Sequence, residues 1–102
     1  MPLTTSTGYV ALTGTPTVDD IIDLTGTSYD GVKGGMTIVN TTGSDITITI
    51  YNDSVQYSNE IPVLANGHTF IEFVLKDDDI LQIECSDSSA AFVTYYTDIL
   101  EL

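Results

Sequence analysis

The stretch Ile46–Ile50, which reads ITITI, decides the fold class of this chain. Its strict alternation puts three isoleucines on one face and two threonines on the other, a period of two that a β-strand produces and a helix does not. Upstream lie a second apolar segment, Met36–Val39, and a polar connection that contains Gly43. We therefore predict that Met36–Val39 and Ile46–Tyr51 form a β-hairpin.

Short strand-like segments continue outward from this pair in both directions. The further predicted strands are Val10–Thr13, Val18–Leu24, Val55–Val63, Thr69–Leu75, Ile80–Cys85 and Ala91–Leu100. Turn residues separate them roughly every 8–12 residues, which is typical of a β-sandwich or barrel. We predict an all-β, single-domain antiparallel β-sandwich, jelly-roll or Ig-like, of seven to nine short strands. It covers residues 1–102, with residues 1–8 as an extended N-terminal arm.

Three local signals refine this pattern. Thr17 and Asp20 have the spacing of a capping box, which would start one helical turn, but the β-branched residues that follow Thr17 favour a strand or an irregular edge segment. The glycine-rich segment Gly26–Gly35 is predicted to be a loop. Pro62 predicts an edge or a bend in its strand, because proline cannot donate to a sheet ladder.

The charge balance excludes several classes of function. Fifteen acidic residues face two basic ones, Lys33 and Lys76, so the formal net charge is −13. Two lysines cannot form a phosphate-binding patch, and the negative charge repels nucleic acids and anionic membranes. A solvated acidic surface is the interpretation we favour; a basic partner or divalent cations are the alternatives.

The residues that could support catalysis do not form a recognisable pattern. His68 is the only histidine and follows the turn signal Asn66-Gly67, so we expect it to be exposed. Leu81, Ile83 and Cys85 are predicted to face the core, with Gln82 and Glu84 facing outward. Because nucleophilic catalysis needs a nucleophile within reach of a base, we expect no Cys–His pair and no enzyme activity.

The sequence predicts no metal site and no cofactor. One cysteine and one histidine are too few ligands for a zinc site. The run Asp77–Asp79 could offer oxygen ligands to calcium, but it lacks the alternating spacing of an EF-hand loop. We favour the simpler interpretation that these aspartates form a turn.

Six tyrosines are the remaining candidates for a binding role. Tyr95 and Tyr96 are adjacent on a predicted strand, so they must point to opposite faces of its sheet. Tyrosine is enriched at protein contacts, but it also packs in ordinary β-sandwiches with its hydroxyl at the rim. Both interpretations stay open. The candidate interface residues are Leu3, Tyr9, Tyr57, Tyr95 and Tyr96.

Four segments together resemble small β-sandwich structural proteins of tailed bacteriophages. They are Ile38–Ser44 with the alternating Ile and Thr residues after it, Ile61–Thr69, Val74–Ile83, and a small-residue turn, Ser86–Ala91, before a closing strand. The similarity covers Gly35–Leu102 and departs at Asp78, where such proteins usually have glycine.

This resemblance implies a virion component without catalytic residues. The expected function is that of a capsid decoration (cement) protein, which binds the outer shell and stabilises it. The alternative is a neck or tail accessory protein, including a receptor- or carbohydrate-binding module. The implied partners are the major capsid protein or another virion protein and further copies of the chain, with no nucleic acid and no membrane. The first residues, MPLTTST, do not resemble a signal peptide, so synthesis in the host cytoplasm and a final location on the virion surface are expected.

Overall fold

The computed structural model describes residues 3–14, 17–26, 31–76, 78–87 and 91–100. These residues form nine β-strands and no helix. The strands are β1 (Leu3–Ala11), β2 (Val18–Asp23), β3 (Gly31–Asn40), β4 (Ile46–Asn52), β5 (Val55–Gln56), β6 (Ile61–Val63), β7 (His68–Lys76), β8 (Ile80–Cys85) and β9 (Ala91–Leu100).

The strands are divided between two antiparallel sheets. Sheet A has the order β1-β9-β3-β7, and sheet B has the order β2-β8-β4-β5 with β6 also paired to β4. Side chains on the two inner faces form one shared core, as expected for a β-sandwich. The prediction of an all-β antiparallel β-sandwich is therefore confirmed.

The pairing of the strands is nested. β1 pairs with β9, β2 with β8, β3 with β7 and β4 with β6, while the short β5 turns back on β4. This is a long two-stranded ribbon wrapped into two sheets, the arrangement of a jelly roll. Of the two sandwich types considered from the sequence, the strand order is that of the jelly roll.

The predicted hairpin between Met36–Val39 and Ile46–Tyr51 is wrong. Its two strands belong to different sheets, because β3 pairs with β7 and β9 whereas β4 pairs with β5, β6 and β8. A buried side chain, Asn40, holds the connection. Its Nδ2 donates to the carbonyl oxygens of Ser44 at 2.8 Å, Val63 at 3.1 Å and Leu64 at 3.2 Å. Its Oδ1 accepts from the backbone N–H of Thr42 at 2.9 Å.

Several strand bounds also differ from the predicted ones. The predicted loop Gly26–Gly35 is too long, because β3 already begins at Gly31 and is paired on both sides from there. The predicted strand Val55–Val63 is two short strands, β5 and β6, and Pro62 lies in β6 at the edge of sheet B. The segment after Thr17 is a strand, as favoured, and not a helical turn.

The first strand begins earlier than predicted. Leu3–Ala11 pairs without interruption with residues 92–100 of β9. Residues 3–8 of the predicted N-terminal arm are therefore part of β1, at the edge of sheet A. Met1 and Pro2 lie outside the described residues.

The alternating stretch of β4 lies at the centre of the core. Ile46, Ile48 and Ile50 are buried against sheet A, as the sequence predicts. Leu81, Ile83 and Cys85 of β8 are buried beside them, also as predicted. Opposite them, the largest buried side chains of sheet A are those of Val32, Met36, Ile38, Leu75 and Val93.

Candidate functional site

The outer face of sheet A exposes a group of large apolar side chains. We call Tyr9, Phe70, Val74, Phe92 and Tyr96 the aromatic face. Tyr9 is 63% exposed, Phe70 50%, Val74 79% and Tyr96 43%. Since alternate residues of these strands fill the core, the aromatic face comprises side chains that folding alone does not bury.

A glycine in the central strand lets the rings approach each other. Gly35 of β3 pairs with Glu72 on one side and with Tyr96 on the other. A Cβ at Gly35 would overlap the ring of Phe70 and come within 3.1 Å of the ring of Tyr96. The absence of a side chain therefore provides the space that both rings occupy.

A second aromatic contact lies at the other edge of the same face. The ring centroids of Tyr9 and Phe92 are 5.2 Å apart, with an interplanar angle of 32°. At this separation, an aromatic pair contributes free energy beyond that supplied by the burial of its apolar area. The aromatic face thus reaches from β1 across β9 and β3 to β7.

The charges on this face differ from those of the whole chain. Both lysines of the sequence, Lys33 and Lys76, are exposed here, on β3 and β7. Among the described side chains of the outer face of sheet A, Glu72 is the only acidic one. A chain of net charge −13 therefore carries both of its basic residues on this face.

Two depressions flank β7. A cleft of about 350 Å³ lies on the outer face and is lined by Lys33, Glu72, Val74 and Tyr96, among others. A larger groove of about 600 Å³ opens between β7 and the β4–β5 hairpin. Most of its lining is apolar, and the lining residues include Ile50, Tyr51, Tyr57, Ile71, Phe73, Leu75 and Leu81.

The outer face of sheet B is polar, and its groups bond to each other. The Gln82 Nε2 donates to Asp20 Oδ1 at 2.7 Å, and the backbone N–H of Ser54 donates to Gln82 Oε1 at 2.7 Å. The Tyr51 hydroxyl donates to Glu84 Oε1 at 3.2 Å. Burial, with this bond as a second cause, raises the pKa of Tyr51 above its ordinary value. Gln82 lies on the outer face, as predicted, but its neighbours leave it only 9% exposed.

The structure places the predicted interface residues in different regions. Tyr9 and Tyr96 belong to the aromatic face. Tyr95 is adjacent to Tyr96 on β9 and points to the opposite side of the sheet, as predicted. It packs against the core and over Gly8. Tyr57 is 75% exposed at the groove. Leu3 begins β1, opposite Leu100 in register, and its side chain lies outside the description.

Sequence reasoning missed Phe70, Val74 and Phe92. β7 has large side chains on both faces, so its pattern alone does not show which set faces the core. The useful signal was Gly35, because a glycine inside a strand often marks a close approach by other groups.

The residues considered for catalysis do not meet. His68 is exposed on β7 of sheet A, whereas Cys85 is buried on β8 of sheet B. Burial, the largest cause, raises the pKa of the Cys85 thiol, which disfavours the reactive thiolate.

The acidic turn after β7 has a local structural role. Asp79 Oδ2 accepts the backbone N–H of Lys76 at 2.8 Å, and Asp78 has a φ of 64°. Asp77 lies outside the described residues. In the described part of the chain, no three His, Cys, Asp or Glu side chains form a group that could hold a metal ion.

Comparisons with known proteins identify no relative. No family model matches the sequence, and no curated protein is significantly similar to it. Within the described ranges, no helix is long and apolar enough to cross a membrane.

Proposed function

We propose that this chain is a non-enzymatic structural protein of a tailed-bacteriophage virion, a capsid decoration protein that binds the outer shell and stabilises it. The observation that carries the proposal is the aromatic face. Tyr9, Phe70, Val74 and Tyr96 are exposed together on one face of sheet A. Exposed apolar groups of this kind mark binding surfaces, and aromatic residues are enriched there.

The fold and the sequence resemblance support the virion assignment. Jelly rolls occur widely in viral capsid proteins, which is an analogy at the level of the fold. The segment that resembles phage structural proteins, Gly35–Leu102, contains most of β3 and all of β4 to β9. The aromatic face lies largely within it, since only Tyr9 comes from an earlier strand.

The proposed mechanism is adhesion. The aromatic face would bury its rings against the major capsid protein or another virion protein, and the burial of apolar area would supply the driving force. A protein that binds only the assembled shell stabilises that state by mass action. The acidic remainder of the chain would face the solvent and keep attached copies from aggregating.

A second candidate is a neck or tail accessory protein that binds a saccharide. The cleft beside Tyr96 favours it, because Lys33 and Glu72 offer a donor and an acceptor beside an aromatic wall. Pockets for small ligands combine apolar walls with a few polar groups in this way. A glycan array would test this candidate, since saturable binding that Tyr96→Ala abolishes is expected if the cleft is used.

Immunogold electron microscopy on virions of the encoding phage tests the proposed function. Antibody label spread over the head is the expected result. Label confined to the neck or tail would reject the decoration role and favour the second candidate. Virions without any label would reject both.

A further inference from the structure

β7 has an open edge. It is a nine-residue strand at the end of sheet A, and among the described strands it pairs with β3 alone. In an antiparallel sheet, alternate backbone N–H and C=O groups of an edge strand point away from its single partner. Such an edge can pair with a strand of another chain.

Two of the usual protections of an edge strand, a proline and a β-bulge, are absent from β7. The strand contains no proline, and its register with β3 is unbroken from Lys76 opposite Gly31 to His68 opposite Val39. It therefore has no bulge to interrupt further pairing. Val74, near its C-terminal end, is the most exposed of the large apolar side chains that the structure describes.

The charges of β7 make the edge complementary to itself. Glu72 and Lys76 lie two residues before and after Val74, so all three share the outer face. In an antiparallel pair of two β7 strands centred on Val74, Glu72 of each copy lies directly opposite Lys76 of the other. Centring the pair on Glu72 would instead bring two carboxylates together, which is unfavourable. The charges therefore favour the register centred on Val74 over the one centred on Glu72.

The groove beside β7 would contribute apolar contacts to the same association. Phe73 and Leu75 line it from β7, and Tyr57 lines it from the β5 side with most of its surface exposed. In the register centred on Val74, Phe73 of one copy lies opposite Leu75 of the other. A second copy at this edge would thus cover part of the groove.

We propose that two copies of this chain associate through antiparallel pairing of their β7 strands, centred on Val74. The two copies of sheet A then form one continuous eight-stranded sheet. Because the two-fold axis is perpendicular to this sheet, the two aromatic faces lie on the same side. The association depends on β7 alone and does not require the virion role.

Sedimentation velocity of the purified full chain at about 0.15 M salt tests this proposal, because surface charges are largely screened beyond short range there. We expect the wild-type chain to dimerise. Glu72→Lys should weaken dimerisation about 30-fold, because each substitution creates two like-charge contacts in a symmetric dimer. This weakening is expected even though Glu72→Lys changes the net charge from −13 to −11 and so reduces the general repulsion between copies. Lys76→Glu should have a similar effect.

Two further variants separate specific pairing from net charge. The double variant Glu72→Lys/Lys76→Glu keeps the net charge at −13 and should restore the dimer. Glu60→Lys is the matched control for Glu72→Lys, since both give −11, and Glu60 lies in the loop before β6 and does not line the groove. It should dimerise like the wild type. A wild-type chain that stays monomeric at about 100 µM would overturn the proposal. A dimer that Glu72→Lys does not weaken, or that the double variant does not restore, would overturn it too.

Discussion

The two outer faces of the sandwich differ in whether their side chains have partners within the molecule. On sheet B, Gln82 bonds to Asp20 and to the backbone of Ser54, and Tyr51 bonds to Glu84. On sheet A, the rings of Phe70 and Tyr96 lie over Gly35 and remain partly open to solvent. The polar groups of sheet B have hydrogen-bond partners within the molecule, whereas sheet A presents rings that a partner could cover.

This difference separates stability from binding. A polar group that is buried and bonded contributes to folding, because removing it leaves its partners unsatisfied. An exposed ring contributes little to folding, but it gains free energy when another surface removes it from water. Substitutions on sheet B should therefore lower stability, and substitutions on the aromatic face should lower binding.

The largest expected effect is the loss of shell binding when the aromatic face is removed. The double variant Tyr9→Ser/Tyr96→Ser should bind phage heads at least about 100-fold more weakly, because buried aromatic anchors dominate interfaces. Its free energy of unfolding should change by less than about 1.5 kcal/mol, since Tyr9 is 63% and Tyr96 43% exposed. Co-sedimentation with heads that lack the protein and urea unfolding measure the two quantities.

Tyr57→Ser is the matched control for this double variant. Tyr57 is an exposed tyrosine at the groove and not on the aromatic face. It should bind heads like the wild type. Equal binding by the double variant and the wild type would show that the aromatic face is not the attachment surface.

A smaller effect is expected on sheet B, and it concerns stability and not binding. Gln82→Ala should lower the free energy of unfolding by about 2 kcal/mol, because the Ser54 N–H and the Asp20 carboxylate both lose their bond to it. Thr94→Ala, on the exposed outer face of sheet A, should change it by less than about 0.5 kcal/mol. Urea unfolding of both variants checks the difference. If the two variants were equally stable, the hydrogen bonds of Gln82 would not contribute to the stability of the fold.

The sequence predicted the strands better than it predicted their partners. The alternation of Ile46, Ile48 and Ile50 identified both a strand and its buried face, because one period determines both. The partner of that strand was wrong. Asn40 joins the end of β3 to carbonyl groups of Val63 and Leu64, more than twenty residues away, and so directs the chain to the other sheet. A polar connection with glycine contains no local sign of such a contact.

The candidate site was predictable only in part. Adjacent residues on a strand must face opposite ways, so Tyr95 and Tyr96 could be separated without the structure. Phe70 and Phe73 could not be assigned to the outer and the inner face, because β7 carries large residues on both. The pairing of Gly35 with β7 and β9 decides which rings lie together, and the sequence placed that glycine in a loop.

The smallest expected effect concerns the proton on the Tyr51 hydroxyl. Burial and the bond to Glu84 raise the pKa of Tyr51 above its ordinary value of 10.0. A raised pKa means that the folded chain holds this proton more tightly than the unfolded chain does. The resulting stabilisation is fully present below pH 10.0 and is lost as the pH rises through the raised pKa of the folded state.

Glu84→Gln removes the carboxylate and should lower the pKa of Tyr51 part of the way to its ordinary value, leaving the part of the shift that burial causes. NMR titration of the tyrosine rings measures this pKa. Glu60→Gln removes the same charge from the loop before β6 and should leave it unchanged. If the pKa of Tyr51 does not change in Glu84→Gln, the hydrogen bond between Tyr51 and Glu84 does not contribute to the polar outer face of sheet B. The contrast between the two faces would then depend on Gln82 alone.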